Sequence, residues 1–387
     1  MRHPCLALFL LAAMACGPGE GAPPADPSGL LTVIDSTTDT VFARVTGEVP
    51  ASAHRRLVQE MAVAPDADDT SLFTDVFEFD VGPDGRLWVF DRPSNTLLIF
   101  NADGTLRQRT GRQGAGPGEY NSNNGMVVLG DSGVALWDAR NGRVAFLDVE
   151  GQWQRSWPVP TGFNTSNGLL TDRSGQLYLR RPVTPPREGE ILGRMGLVQL
   201  REGGAFGDSL APPDLPVQRE VYVARAEGNT SSTNSRHAPN FHWAWHPDGY
   251  FVAANGGQGA VVLERPGAKP LVIVRSAPPV GVGREDRSEE QASITHSMRQ
   301  TEPGWAWRGP DLPTTKAPIA GIFAARDGRI WIRVPAPSEP IPADELPGTR
   351  DTLRPVITFR TPVVYEIYAP TGRFLGRLTF PPRTTLM

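Results

Sequence analysis

Residues 79–89 read FDVGPDGRLWV, and this short stretch carries most of the information about the architecture. A β-prone run is followed by an Asp-Gly turn and then by a second β-prone run that contains a tryptophan. This order is typical of an antiparallel hairpin with a tight turn. The phrase returns in recognisable form at residues 131–137, 172–179, 246–252 and 326–332. A hairpin repeated in this way predicts a repeat architecture rather than one irregular globular core.

A second phrase completes several copies of the repeat. It consists of an apolar run, a turn that contains glycine, and another β-prone run, and it occurs at residues 97–106, 144–153 and 364–374. Each full copy therefore predicts two hairpins, which make four antiparallel strands. Such a small sheet cannot bury both faces alone, so the copies are expected to stack radially as the blades of a β-propeller. Trp88 and Trp331 occupy the same place in their copies and are predicted to be buried between blades.

The blade count follows from the number of copies and from the gaps between them. Five clear copies, together with a β-prone region at residues 31–63 that lacks the phrase, predict six blades. The N-terminal strands are expected to complete the last blade beside the C-terminal hairpins and so leave no free edge. The long gaps hold a polar loop at 226–236 and a short helical insertion near 286–300, where Ser288 and Gln291 form a capping box. The expected fold is all-β, a six-bladed propeller over 31–387.

The N-terminus has the pattern of a targeting segment. Basic residues precede the apolar run CLALFLLAA at 5–13, which is too short for a permanent membrane helix and is typical of a secretory signal. The following AMAC at 13–16 fits ordinary signal peptidase and also resembles the lipobox of bacterial lipoproteins. Cys5 leaves with the signal in either case, so Cys16 is a lone cysteine whose expected role is lipidation. We expect a signal peptide at 1–15 and a flexible tether at 16–30.

These features predict a location and a set of partners. Gly17 after the lipidated Cys16 resembles lipoproteins sorted to an outer membrane, so the domain is expected to be tethered in the cell envelope, facing the periplasm or the exterior. The net charge is −4 and no block of like charge occurs, so nucleic acid is not an expected partner. The expected partners are the membrane, through the lipid anchor, and an unknown protein or small polar ligand. No cofactor is assigned.

The segment GRQGAGPGEY at 111–120 is the most specific motif of the chain. It resembles the G-x-x-G-x-G-P-G-E-[YF] segment of bacterial six-bladed β-propeller lipoproteins related to NHL-repeat proteins, and the repeats extend this resemblance over roughly residues 57–380. The resemblance implies the fold and says little about activity. The segment lacks the ending of a phosphate-binding P-loop and precedes a strand, so it predicts an inter-blade turn in which Glu119 accepts backbone hydrogen bonds.

No catalytic constellation emerges from the sequence. The chain lacks a G-x-S-x-G elbow and an H-E-x-x-H motif. His242 and His246 are about 13 Å apart along an ideal strand, too far to share a metal on a straight strand. No catalytic or metal-binding residue is therefore assigned, and a binding or scaffold module is favoured over an enzyme. The alternative is a metal-dependent lyase or lactonase-type enzyme that uses the axial channel, as other six-bladed propellers do.

Polar residues cluster near the starts of the predicted innermost strands. In propellers these strands surround the axis, so a ligand site there gathers residues from several blades. The candidate ligand-binding residues are Asn124, Asn167, Asn240 and His242. If they converge on one axial funnel, they suit a polar, uncharged ligand such as a sugar or a peptide backbone. If they do not converge, the alternative interpretation is that these residues cap turns and that the channel is structural.

Overall fold

The computed structural model describes residues 31–58, 60, 63, 76–160, 168–186, 193–346 and 355–382. Across these residues no helix has both the length and the apolar character needed to cross a bilayer. The predicted signal segment, Cys16, the predicted tether and Asn167 lie outside the described residues. Three strands precede the first blade: β1 (Leu31–Ser36), β2 (Val41–Thr46) and β3 (His54–Arg55).

Blades 1 and 2 follow the repeat closely. Blade 1 contains β4 (Val76–Val81), β5 (Leu87–Asp91), β6 (Thr96–Phe100) and β7 (Leu106–Thr110). A short parallel pair then leads into the next blade, formed by β8 (Arg112–Gln113) and β9 (Glu119–Tyr120). Blade 2 contains β10 (Asn123–Val128), β11 (Val134–Asp138), β12 (Arg143–Leu147) and β13 (Trp153–Pro158).

The later blades are separated by two insertions. Blade 3 contains β14 (Leu169–Thr171), β15 (Leu177–Pro182), β16 (Met195–Leu200) and β17 (Phe206–Leu210), and it is followed by the hairpin β18 (Tyr222–Ala226) and β19 (Asn229–Thr233). Blade 4 contains β20 (Phe241–His246), β21 (Tyr250–Asn255), β22 (Ala260–Leu263) and β23 (Leu271–Arg275), and it is followed by α1 (Arg284–Thr301).

Blade 5 ends the ring. Its first two strands are β24 (Gly321–Ala324) and β25 (Ile330–Val334), and the short pair β26 (Glu339–Pro340) and β27 (Phe359–Arg360) lies in the connection to β28 (Val364–Tyr368) and β29 (Phe374–Thr379). Four 3-10 turns complete the described elements, at Ala51–Ala53, Gly130–Ser132, Ala139–Asn141 and Glu202–Gly204.

The propeller architecture predicted from the repeats is confirmed. The described residues form five blades of four strands, one fewer than the six expected, because the N-terminal strands do not make a blade of their own. Instead β2 pairs in parallel with β23 and extends blade 4 outward, while β3 alone pairs with β29 at the edge of blade 5. The expected N-terminal contribution to the last blade is thus limited to β3.

The Asp-Gly turn forms as the sequence indicates. Gly85 has a φ of 79°, a left-handed conformation that favours glycine, and its N–H donates to the Gly82 carbonyl at 3.0 Å. The Asp84 carboxylate accepts from the Arg86 N–H at 3.1 Å and holds the two strands in register. In blades 1 to 3, the aromatic side chain of the second strand packs at the face that meets the next blade.

Aromatic residues fill the faces between blades. Trp88 is only 2% exposed and belongs to a cluster with Tyr120 and Met126 at the boundary of blades 1 and 2. Tyr178 contacts Trp245 across blades 3 and 4, with ring centroids 4.9 Å apart. Trp331 is only partly buried and packs against residues of its own blade, so its burial falls short of that expected from its place in the repeat.

Polar contacts on one face of the ring, which we name the turn face, link successive blades. The Asp80 carboxylate on blade 1 accepts from the Val128 N–H on blade 2 at 2.7 Å. The Arg173 N–H on blade 3 donates to the Pro247 carbonyl at 2.7 Å, and His246 on blade 4 hydrogen bonds with the Gly328 carbonyl on blade 5 at 2.9 Å. Arg326 on blade 5 donates to Asp80 and so returns to blade 1.

The helical insertion is present and begins earlier than the sequence indicated. Helix α1 starts at Arg284 after Gly283, which makes no side-chain cap, so Ser288 lies within the helix and the predicted capping box is wrong. The buried residues of α1 recur every fourth position and form one stripe: Asp286, Glu290, Ile294 and Met298. The apolar half of the stripe packs with Tyr222 of the hairpin β18–β19, and the two acids point into a polar network.

Candidate functional site: a basic set of cavities on the insertion face

Three adjoining cavities lie on the face opposite the turns, which we name the insertion face. The first, of about 410 Å³, is named the arginine cavity and is lined by Arg180, Arg194, Met195, Phe241, His242, Trp243, Gly321 and Ile322. The second, of about 290 Å³, is named the lysine cavity, and its lining includes Arg236, His237, Asn240, His242, Lys316, Arg333, Arg360 and Thr361. The third, of about 350 Å³, is named the loop cavity and is lined by residues 213–217 with Arg194, Arg219, Asn240 and Phe241.

His242 lies where the arginine and lysine cavities meet, near the start of β20. Burial lowers the pKa of the His242 imidazole, a backbone hydrogen bond at Ile319 opposes this effect, and the positive charge of Arg333 lowers the pKa further. The ring is therefore neutral near pH 7, so one ring nitrogen can donate and the other can accept. Beside it, the Asn240 side-chain oxygen accepts from Arg219 at 2.7 Å.

Lys316 is held rigidly below the lysine cavity and is only 6% exposed. Its ammonium donates to the Ala336 carbonyl at 2.7 Å, to the Ser338 hydroxyl at 2.8 Å and to the Thr361 hydroxyl at 2.7 Å. Burial lowers its pKa, while the Asp286 charge acts in the opposite direction. Since an ammonium has three donors, all of them are already used within the protein.

Helix α1 supplies the acids that balance this buried charge. Asp286 is 2% exposed and accepts from Ser338 at 2.5 Å and from Arg236. Burial raises the pKa of Asp286, but these hydrogen bonds and the charge of Arg236 outweigh burial and hold the pKa below its ordinary value. The neighbouring Glu290 accepts from the Arg236 N–H at 2.6 Å. These hydrogen bonds connect the wall of the lysine cavity to helix α1 and to Arg236, which follows the hairpin β18–β19.

The structure brings together two of the four residues predicted for the ligand site. Asn240 and His242 both line the lysine cavity. Asn124 does not line any of the three cavities. Its side-chain oxygen accepts from Ser122 at 2.7 Å, and its carbonyl accepts from the Gly168 N–H at 2.7 Å, a turn-capping arrangement between blades 2 and 3. The fourth residue, Asn167, is outside the described residues.

The histidines near the site have separate surroundings. His246 is fully buried and stacks on Tyr250, in addition to its bond to blade 5. His237 lies 3.6 Å from Asp286 and 3.7 Å from Glu290, measured from its Nε2 to the carboxylate oxygens. Within the described ranges no group of three or more His, Cys, Asp or Glu side chains is arranged to hold a metal ion.

Sequence reasoning missed the cationic residues of these cavities. Lys316 did carry a signal, because Lys269 and Lys316 are the two lysines of a chain with 38 basic residues. Arg180 and Arg333 carried none, since arginine is common throughout the chain. Each of them comes two residues after the aromatic residue of a repeat phrase, Tyr178 or Trp331, where the second strand of the blade approaches the insertion face. This position in the repeat is the sequence signal that could have predicted them.

The glycine-rich segment between blades 1 and 2 behaves as a turn. The Glu119 carboxylate accepts from the Gly116 N–H at 2.8 Å and from Arg112 at 2.7 Å. The Gly116 hydrogen bond and the Arg112 guanidinium hold the pKa of Glu119 below its usual range. The motif on which the family resemblance rests therefore closes its own loop, as predicted, and does not contribute to the three cavities.

Comparison with known families agrees with the propeller fold. A family model, DUF5128, described as a 6-bladed beta-propeller, matches residues 74–155, which is less than half of the chain. The five described blades therefore differ by one from the number in that description. No curated protein sequence gives a significant match.

Several solved structures are similar at low sequence identity. A putative exported protein from Bacteroides fragilis is 12% identical over 82% of this chain and 73% of its own, with a TM-score of 0.40. A member of the DUF4221 family from Bacteroides vulgatus is 10% identical over 80% and 82%, with a TM-score of 0.46. A catalytically inactive virginiamycin B lyase from Staphylococcus aureus is 13% identical over 81% and 97%, with a TM-score of 0.33. At these identities the likeness concerns the fold alone.

Proposed function

We propose that this protein is an exported, membrane-tethered β-propeller that acts as a binding module and takes a small polar ligand at the insertion face. The observation that carries the proposal is the sharing of Arg194, Asn240, Phe241 and His242 among three adjoining cavities. Each cavity is of a size that suits a small molecule or part of one, and each combines aromatic surface with a few fixed polar groups. The rigid blades on both sides keep these groups in place without a ligand.

The binding role is tested by calorimetry on the mature protein with a panel of three probes: N-acetylglucosamine, triglycine and citrate. We expect at least one probe to bind, and we expect His242→Ala and Asn240→Ala each to weaken that binding about tenfold, the effect of losing one good hydrogen bond in a closed site. Asn229→Ala is the matched control, because Asn229 is an exposed residue of β19 that lines none of the cavities. Binding unchanged in both site variants, or no binding of any probe, contradicts the proposal.

The tether is a separate part of the proposal and has its own test. If Cys16 carries the lipid, Cys16→Ser moves the protein from the detergent phase of the membrane fraction to the soluble exported fraction. A thioether-linked diacylglycerol supplies enough buried hydrocarbon to retain a protein of this size at a membrane, whereas the signal peptide is removed. An unchanged membrane distribution of the Cys16→Ser protein contradicts lipid anchoring and leaves the binding role unaffected.

A further inference from the structure

The linings of the arginine and lysine cavities have an unusual charge. The whole chain has 42 acidic and 38 basic residues, an excess of acid. Neither of these two cavities has an Asp or a Glu in its described lining. Basic side chains line both, namely Arg180 and Arg194 in one and Arg236, Lys316, Arg333 and Arg360 in the other. Such a separation of charge needs a local explanation.

Several of these cations are already satisfied by the protein. Arg360 donates to Glu339 at 2.8 Å and to Glu345 at 2.6 Å, and Arg236 donates to Asp286. Lys316 has all three of its donors engaged. Arg194 has an acidic partner, with its Nη1 3.1 Å from the Asp214 carboxylate, although Nε and Nη1 of its guanidinium make no hydrogen bond within the described residues. These four side chains contribute to the electrostatic field of the cavities, and each already has a partner within the protein.

Arg333 and Arg180 differ from the other four. In the part of the chain that the structure describes, neither guanidinium has an acidic partner, and both side chains are partly buried. Arg180 lies over the ring of Trp243 at 4.5 Å, and burial lowers its pKa. A partly desolvated guanidinium without a counter-charge costs free energy, and a bound anion is the group that recovers it.

We propose that the site binds a small organic anion with two or more carboxylate or phosphate groups, held by Arg180 and Arg333 from the two sides of His242. This inference deepens the proposed function and rests on it. A guanidinium donates two parallel hydrogen bonds to a carboxylate or a phosphate, which is the geometry that suits such a ligand. Phe241 and Trp243 line the space beside His242 and receive the uncharged body of the molecule. The asparagines alone predicted an uncharged ligand, whereas the arginines of the cavities favour an anionic ligand.

The test uses citrate and pyrophosphate as probes, with trimethyl citrate as the uncharged analogue of citrate, in calorimetry with the mature protein. We expect citrate, pyrophosphate or both to bind, more weakly at high salt, and we expect no binding of the ester. Arg180→Gln and Arg333→Gln each weaken binding of the anion about tenfold, and Arg333→Lys weakens it less because the charge remains. The stronger of the two anions identifies whether carboxylate or phosphate is preferred.

Arg155→Gln is the matched control for these variants. Arg155 also lies over an aromatic ring, that of Phe146 at 4.7 Å, but it lines a groove on the turn face between blades 2 and 3. Its replacement leaves anion binding unchanged. If citrate and trimethyl citrate bind equally well and His242→Ala weakens both, the ligand need not be an anion. That result contradicts this inference but still supports the proposed binding function. Anion binding that is unaffected in both Arg180→Gln and Arg333→Gln, with circular dichroism showing folded protein, overturns the inference as well.

Discussion

Trp88 and Trp331 occupy the same position of the repeat, yet their surroundings differ. Trp88 is nearly inaccessible between blades 1 and 2, whereas Trp331 is partly exposed and packs against residues of its own blade. Replacing Trp88 with Ala is expected to reduce the free energy of unfolding by about 3–5 kcal/mol, the usual loss for a buried large aromatic. Trp331→Ala is expected to cost clearly less. Urea unfolding of the two variants measures the difference, and equal losses contradict the assigned packing.

The protonation of His242 gives a second prediction at this scale. Burial and the charge of Arg333 both hold its pKa below the ordinary value of about 6.5. Because the pKa is lower in the folded state, the neutral form is favoured, and this residue reduces stability as the pH falls below the unfolded pKa. Arg333→Gln removes one of the two causes, so the pKa of His242 rises. Carbon-13 NMR of labelled histidine follows it, with Arg155→Gln as the unchanged control; a pKa that does not rise contradicts the coupling.

Only part of the candidate site could be predicted from residue types. Asn240 and His242 were predicted because polar residues at the start of a first strand lie near the axis of a propeller, and both line the lysine cavity. The role of Arg333 depends on which other cations already have acidic partners, and Arg360 obtains its partners from Glu339 and Glu345 only through the fold of blade 5. Pairing of this kind has no spacing in the sequence, so a free arginine cannot be distinguished from a paired one.

Among the elements, the strands of the blades were predictable and the N-terminal hairpin β1–β2 was misplaced. In all five described blades, the turn between the first and second strands contains an aspartate and a glycine that are visible in the sequence. The pairing of β2 with β23 is parallel and joins residues more than 200 positions apart, so no turn marks it. The hairpin settles on blade 4 because Ala43 and Val45 are fully buried beside Leu271 and Ile273.

This packing gives a prediction for the hairpin as an element. Val45→Asp places an unpaired carboxylate in the cluster that joins β2 to β23, and we expect a loss of several kcal/mol in stability. Amide hydrogen exchange in β23 is expected to increase, because the hairpin no longer covers it. Val33→Asp on the same hairpin is the control, since Val33 is 43% exposed. An unchanged exchange rate in β23 of the Val45→Asp protein contradicts the register.

For the whole molecule, the closure of the ring depends on one turn. Arg326 on blade 5 donates to the Asp80 carboxylate and to the Val81 carbonyl on blade 1, and Asp80 also binds the Val128 N–H of blade 2. One carboxylate therefore connects three consecutive blades across the point where the chain's last blade meets its first. At the boundaries of blades 1 and 2, 2 and 3, and 3 and 4, apolar side chains from both blades pack together. Trp331 instead packs within blade 5. The polar contact of Arg326 therefore contributes a larger share of the interaction between blades 5 and 1.

Replacing Arg326 with Ala is therefore expected to loosen the ring at this boundary and leave the single blades intact. The global loss of stability is expected to be small, about 1 kcal/mol, because the Arg326 side chain is 59% exposed and its ion pair with Asp80 is screened by water. The local effect is larger: amide exchange should rise in β4 and β24, the first strands of blades 1 and 5, and stay constant in β10 and β14. Arg329→Ala on the same turn is the control, because Arg329 pairs with Asp327 of its own blade. Equal exchange in β4 of the Arg326→Ala and Arg329→Ala proteins would show that the ring is closed by packing alone.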